Sequence, residues 1–203
     1  MAAKTKRDRN QTEQKLISAV GAVLAKEGFR ALGVNRIARE ASVDKVLIYR
    51  YFGGLAELVS AYAVSSEFWP SVDELLTGDE DLPSPCPPAR QLSLYFRNFT
   101  RAILDRPQTI EILAWELVER NELTDILNAR RERTGAELME HLGDGATHRT
   151  DPSVVVTLLA GAVNYLAIAS LRRGSLGGID ISSQEGWERV HTVLDDMLLR
   201  IFG

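Results

Sequence analysis

The spacing of apolar residues constrains this chain more than any other feature. Leu16, Ile17, Val20, Val23 and Leu24 fall at steps of three and four within residues 12–26. Trp187, Val190, Leu194, Met197, Leu198 and Ile201 do the same at the other end. Steps of three and four put side chains on one face of a helix, whereas a half-buried strand needs strict alternation. No alternating run of useful length occurs, and there is no internal repeat. The chain is therefore expected to be all-α.

Punctuation residues divide this pattern. Asn10 followed by Glu13 predicts a helix start, and Gly28 a stop. A short amphipathic piece follows at 34–41, with Val34, Ile37, Ala38 and Ala41 on one face; Ser42-Val43-Asp44 interrupts it. A third helix is expected over 45–52, ended by Gly53-Gly54, and a longer one from Leu55 with Leu58, Val59 and Tyr62 inward. Residues 77–90, TGDEDLPSPCPPAR, form the clearest loop. Helices are expected over 92–104, 108–120 and 123–142, then a loop at 144–150. Asp151-Pro152 opens the apolar stretch 154–171, and 174–182 is glycine-rich. The stretch 154–171 contains Thr157, Gly161, Asn164 and Ser170 and ends in Arg172-Arg173, so it is expected to be a buried helix rather than a membrane span.

A chain of 203 residues can bury a substantial core. It has one cysteine, Cys86, which can build neither a disulfide framework nor a zinc site alone. That and the polar, basic start MAAKTKRDRNQ suit a reducing, cytoplasmic setting. The net charge of −4 hides an asymmetry. Residues 1–52 hold eleven Lys and Arg against five Asp and Glu, a balance of +6, while the other 151 residues hold 13 against 23, or −10. A basic end on an acidic body is the electrostatic footprint of a polyanion binder.

Three short helices in this order describe a helix-turn-helix, whose second member enters the major groove. Ile37, Ala38, Val43, Ile48 and Phe52 would form its small core. Lys45, Val46, Leu47, Tyr49, Arg50 and Tyr51 would then keep surface outside. Apolar side chains turned to water need a reason, and thymine methyls and phosphate oxygens supply one.

The segment VNRIAREASVDKVLIYRYFGGLAEL (34–58) resembles the TetR family of bacterial transcriptional regulators, through Ile37-Ala38, Ala41, Val43, Ile48-Tyr49, Phe52, Glu57 and Leu58. The resemblance covers roughly residues 12–62. It implies DNA contacts from Asn35 and Arg36 on the second helix and from Lys45, Val46, Leu47, Tyr49, Arg50 and Tyr51 on the third. The chain departs from the family pattern at three places. Ser42 stands where the turn usually has glycine, Gly33-Val34 where a threonine would offer its hydroxyl, and Leu55 where a lysine would meet phosphate. Arg36, Arg39, Arg50 and the basic arm 4–9 could compensate.

The expected organisation is a DNA-binding domain over 1–54 joined to a helical ligand-binding and dimerisation domain over 55–203. The resemblance implies a homodimer through the last two helices, a palindromic double-stranded operator and a small-molecule effector that releases a repressor. Candidate effector contacts are Tyr95, Phe99, Trp115, Asn164 and Tyr165, with Trp69 and Phe96 as further aromatics. Asn164 and Tyr165 form a polar pair in an apolar helix, which offers a hydrogen bond to a guest. Glu111, Glu116 and Glu119 could select a cation, although a solvated face is their commoner use.

An enzyme is not expected. His141, His148 and His191 are scattered; Glu137 and His141 make at most half a metal site, and the run 79–81 suits a solvated loop. There is no glycine-rich phosphate loop, GxSxG or CxxC, so neither cofactor nor metal is expected. The alternative is a dimerisation module whose helix-turn-helix has little DNA affinity.

Overall fold

The computed structural model describes residues 2–83, 86–142 and 150–203. It is helical almost throughout, as the apolar spacing requires. The helices are α1 (Ala2–Glu27), α2 (Val34–Glu40), α3 (Val46–Phe52), α4 (Leu55–Ala63), α5 (Val72–Leu75), α6 (Pro88–Leu104), α7 (Pro107–Glu116), α8 (Glu122–Leu142), α9 (Pro152–Arg173) and α10 (Gln184–Phe202).

Two expectations about elements are corrected. The first helix does not start at an Asn10 cap but runs through it from Ala2, so part of the basic arm is helix. Second, the glycine-rich segment holds a small hairpin. Ser175 pairs with Asp180 and Leu176 with Ile179 in an antiparallel β1 (Ser175–Leu176) and β2 (Ile179–Asp180). Gly177 and Gly178 both take positive φ between them, the requirement of a tight primed turn. Two residues per strand are too few to show as alternation.

Packing divides the chain into two compact units. The first comprises residues 1–69 and 106–132. In it α1 is the central rod, packed on α2, α4 and α7. Leu16, Val20, Val23 and Leu24 are fully buried along one side. Gly21 is needed here: a Cβ at this position would lie 2.8 Å from the Tyr62 ring of α4 and 2.9 Å from Gln108 Oε1 of α7. Three helices thus meet where one side chain is missing. Arg106 and Thr109 bind the loop after α4, donating to the carbonyls of Ser66 (3.1 Å) and Phe68 (2.6 Å).

The second unit comprises residues 70–105 and 133–203. Here α6 packs along α10 and also against α5 and α9. Leu92, Phe96, Phe99 and Ile103 of α6 are buried with Leu194, Leu198 and Phe202 of α10. At the edge of this contact Arg97 donates to Glu188 (3.1 Å) and Asp195 (2.7 Å). Asn98 is buried, and its amide nitrogen donates to the carbonyls of Leu75 and Thr77. The Trp187 indole N–H donates to Ile181 O, anchoring the hairpin's exit. His191 is buried in α10; loss of hydration, reinforced by Arg97, holds its imidazole below the usual pKa.

The helix expected to be buried, α9, is only partly so. It is long and apolar enough to cross a membrane, yet only 33% of its most apolar window is buried. Asp151 caps it, accepting from the Ser153 N–H and hydroxyl. One face carries Val155, Val156, Leu159 and Val163 into the core, while Val154, Leu158 and Tyr165 face outward at helical spacing. On α10, Val193, Met197 and Leu199 are likewise exposed. Periodicity could not reveal this, because α9 is apolar nearly all round and has no polar side to mark the outside.

Candidate nucleic-acid interface

The turn between α2 and α3 is closed by its own backbone. The N–H groups of Ala41, Ser42 and Val43 donate to the carbonyls of Ile37 (2.9 Å), Arg39 (3.2 Å) and Ala38 (3.0 Å). This ending places Ser42 at φ 55, the one described non-glycine residue with positive φ. A side chain in that left-handed region costs about 1–2 kcal/mol, which explains why glycine is the expected residue there. The Asp44 carboxylate then accepts from the Val46 N–H at 2.8 Å and starts α3. Gly53, at φ 96, ends it by donating to Tyr49 O.

Ile37, Ala38 and Ile48 are buried, which fixes how the two short helices face each other. Val43 and Phe52, expected in the same core, are only half-buried. The outer surface is then determined by helical geometry. Asn35, Arg39, Lys45 and Arg50 are exposed, and Leu47 and Tyr51 are half-buried. Val46 is 51% exposed and Tyr49 57% exposed. A valine and a tyrosine beside two free-standing cations form a surface that water does not favour and a DNA groove does.

Arg36 stands apart from this set. Its guanidinium donates to Glu27 Oε1 through Nη2 (2.6 Å) and Nε (3.0 Å), and Nη2 lies 2.7 Å from Glu40 Oε2. Those bonds, Glu27 first, raise the Arg36 pKa, and the same bond lowers that of Glu27. A cation balanced by two carboxylates has little charge left for a phosphate. Arg9 makes a contact the sequence did not announce. It pairs with Glu13 at 2.7 Å, and its guanidinium lies 5.0 Å from the centroid of the Tyr51 ring. The basic composition of the arm was visible, but not that it touches α3. Of the arm, the side chains of Lys4 and Lys6 lie outside the described residues.

The residues expected around an effector divide between the two units. Tyr95 and Phe99 are buried in α6 with their rings stacked 5.8 Å apart, and Phe96 meets Tyr95 edge-on. Burial pushes the Tyr95 pKa up. Trp115 belongs to the other unit: its indole N–H donates to Ala25 O at 3.4 Å, and its ring lies against Gly28. Trp69 lies under the Arg131 guanidinium at 5.7 Å. Tyr165 is half exposed on the outer face of α9. Asn164 keeps the feature that drew attention to it, since its Oδ1 is buried without a hydrogen-bond partner. Two of the candidate cation selectors have internal partners: Glu116 is held by Arg131 at 2.6 Å, and Glu119 accepts the Arg30 N–H. Desolvation raises the Glu116 pKa even against that arginine. Among the described residues no group of three or more His, Cys, Asp or Glu is placed to hold a metal ion; His148 lies outside them.

A compact helix-turn-helix with an outward apolar and cationic second helix, in a chain whose described residues are otherwise mostly helical, is the arrangement of DNA-binding transcriptional regulators. Residues 16–62 match the family model for bacterial regulatory proteins of the tetR family. No curated protein matches the chain. Solved structures do. The fatty acid degradation regulator FadR from Bacillus halodurans aligns at a TM-score of 0.67 with 16% identity, covering 92% of this chain and 97% of that one. NalD, the secondary repressor of the MexAB-OprM multidrug efflux pump in Pseudomonas aeruginosa, aligns at 0.66 with 19% identity over 97% and 98%. A TetR family transcription regulator from Marinobacter aquaeolei VT8 aligns at 0.65 with 18% identity over 95% and 97%. At these identities the likeness is one of fold, and it extends over nearly the whole chain.

Proposed function

We propose that this protein is a cytoplasmic, homodimeric repressor that binds a palindromic operator and is released by a small-molecule effector. The observation that carries the DNA-binding part is the exposed face of α3, where Val46 and Tyr49 stand in water beside Lys45 and Arg50. In this reading Lys45, Val46 and Leu47 meet base edges at the start of the helix. Tyr49, Arg50 and Tyr51 bind base or backbone, and Asn35 binds backbone from α2. Arg36 instead braces α2 against Glu27 and Glu40. The working division is DNA binding by residues 1–54 and effector binding and dimerisation by 55–203.

Dimerisation is supported by the outer faces of α9 and α10. Val154, Leu158, Tyr165, Val193, Met197 and Leu199 are each more than two-fifths exposed, and helices with such faces bury them against a symmetry mate in a four-helix arrangement. A dimer also spans two half-sites a helical turn or more apart. Effector binding is supported by the unpartnered Asn164 Oδ1 in an apolar helix, a buried acceptor that a guest's donor would satisfy. Release then follows from linkage. An effector that prefers the dimer geometry unable to reach both half-sites lowers DNA affinity by the factor by which DNA lowers its own.

The test is a mobility-shift titration with the DNA flanking the protein's own gene. Retention by the native chain, with Tyr49→Phe and Arg50→Ala each weakening it about fivefold to thirtyfold at unchanged thermal stability, is the expected result. Full affinity in both variants removes α3 from the interface. One observation favours a second reading, a dimerisation module with little DNA affinity. With Arg36 engaged and Leu55 uncharged, few cations remain at the helix-turn-helix. No retention of the flanking DNA at low salt would establish that reading instead.

A further inference from the structure

The corner where α7 ends and α8 begins carries a pocket of about 270 Å³, lined by Glu116, Arg120, Thr124, Asp125, Asn128 and Arg131. All six residues lie in the first unit. None belongs to the helix-turn-helix, and Asn164 lies in the other unit. The pattern along α8 explains why the pocket is polar. Thr124, Asn128 and Arg131 follow one another at steps of four and three, which puts them on one face of the helix. Apolar residues at that spacing make a face that seeks burial; these three make one that holds polar groups. The start of α8 is already satisfied by Asn121, whose side-chain oxygen accepts from the N–H groups of Leu123 (2.9 Å) and Thr124 (3.3 Å). The pocket's binding groups are therefore its side chains and not a helix end.

Its charges form two tiers. At the floor, Arg131 Nη1 donates to Glu116 Oε1 (3.0 Å) and Nη2 lies 2.6 Å from Oε2, with both side chains less than a fifth exposed. The same guanidinium donates to Asn128 Oδ1 at 3.1 Å and lies over the Trp69 ring. At the rim, Arg120 and Asp125 stand 3.8 Å apart with side chains 89% and 65% exposed. A pair so open and so long is worth little, so its charges remain available to a third group. Glu116 is the opposite case. Burial costs its carboxylate more than Arg131 returns, and its pKa is raised accordingly. A second cationic group beside it would restore the balance.

Two arginines against two carboxylates leave the lining neutral overall. A simple anion would meet Glu116 and Asp125, and a simple cation would meet both arginines. The terminus of another protein chain brings one charge only. A molecule carrying both signs on one small frame answers both tiers, and the volume suits a small one.

We propose that this pocket binds a free zwitterion of the α-amino-acid type, its ammonium on Glu116 at the floor and its carboxylate on Arg120 at the rim. Arg131 holds Glu116 in place, and Asp125 yields Arg120 to the ligand. The site goes beyond the effector reading, which rests on Asn164 in the other unit, and it requires neither DNA nor a dimer.

The test is calorimetric titration of the full chain with each standard amino acid in turn, up to about 10 mM. At least one is expected to bind with a dissociation constant between about 10 μM and 1 mM. Removing either charge from that amino acid, as its primary amide or its deaminated acid, should weaken it about tenfold or more, the loss of a charge-assisted bond. Arg120→Ala alters an exposed side chain and should weaken binding to a similar degree at an unchanged melting temperature. Glu116→Gln keeps the shape of the side chain and should also weaken it. No binding of any amino acid at the highest concentration overturns the proposal. Full affinity in either variant, or equal binding of the singly charged analogues, overturns it too. None of these failures touches the reading of α3, because no DNA enters the measurement.

Discussion

Two surfaces of this protein expose apolar side chains, and they differ in what surrounds them. On α3, Val46 and Tyr49 are interleaved with Lys45 and Arg50, and the basic arm adjoins through Arg9 and Tyr51. On α9, Val154, Leu158 and Tyr165 share a face with Gly161 and with no charged residue before Arg172. Exposed apolar area alone marks both as surfaces that want a partner. Charge decides which partner. A cationic apolar helix suits a polyanion with methyl groups in its groove, whereas an uncharged one suits another copy of itself.

The largest expected effect breaks the second surface. Leu158→Lys together with Val193→Lys should convert a dimer into a monomer at micromolar concentration, measured by sedimentation. Like charges buried in an apolar interface cost far more than they recover. If the sedimentation coefficient does not change, α9 and α10 do not face a second copy. The same variant should keep its helical content, because neither side chain lies in the unit's own core.

A sharper contrast lies within the first surface. Arg50→Ala should reduce DNA affinity and flatten its salt dependence by about one phosphate contact. Arg36→Ala should leave the slope unchanged and lower the melting temperature slightly, since it frees Glu27 and Glu40 of their partner. Equal salt slopes for the two variants would return Arg36 to the interface.

A smaller effect concerns the inward side of α10. His191 has its folded-state pKa lowered by burial, so below the ordinary histidine range the unfolded chain binds the extra proton and the folded one resists it. Stability contributed by the neutral imidazole is therefore present above about pH 6.5 and declines as pH falls below it. Denaturant midpoints at pH 7.5 and 5.5, compared between the native chain and His191→Gln, check this; a decline of equal size in both would assign it elsewhere. The smallest effect concerns the turn that positions α3. Ser42→Gly should raise stability by roughly 0.5–1 kcal/mol, the strain relieved less the entropy that glycine adds to the unfolded chain. DNA affinity should stay the same.

The helix-turn-helix was legible because every level of the sequence agreed there. Apolar spacing, the interruption at Ser42-Val43-Asp44 and the Gly53-Gly54 stop defined α2 and α3 to within a residue. The sequence offers Arg36 to DNA as a cation of α2, but the carboxylate holding it most closely belongs to Glu27 at the end of another helix. The sequence offers Trp115 and Tyr165 alike as lining for a guest; Trp115 donates to Ala25 O of α1, and Tyr165 is half exposed on α9. Aromatic residues at helical spacing look alike whether they fill a core, line a cavity or meet a partner.

By itself the sequence determined that the chain is helical, where its short N-terminal helices begin and end, and that its first quarter carries positive charge. These are local properties, set by period, capping and composition. Only the tertiary structure decided which face of α9 is left outside, which arginine is already paired and that the basic arm rests on Tyr51. Each depends on residues distant in sequence meeting in space, and no one-dimensional pattern contains that information.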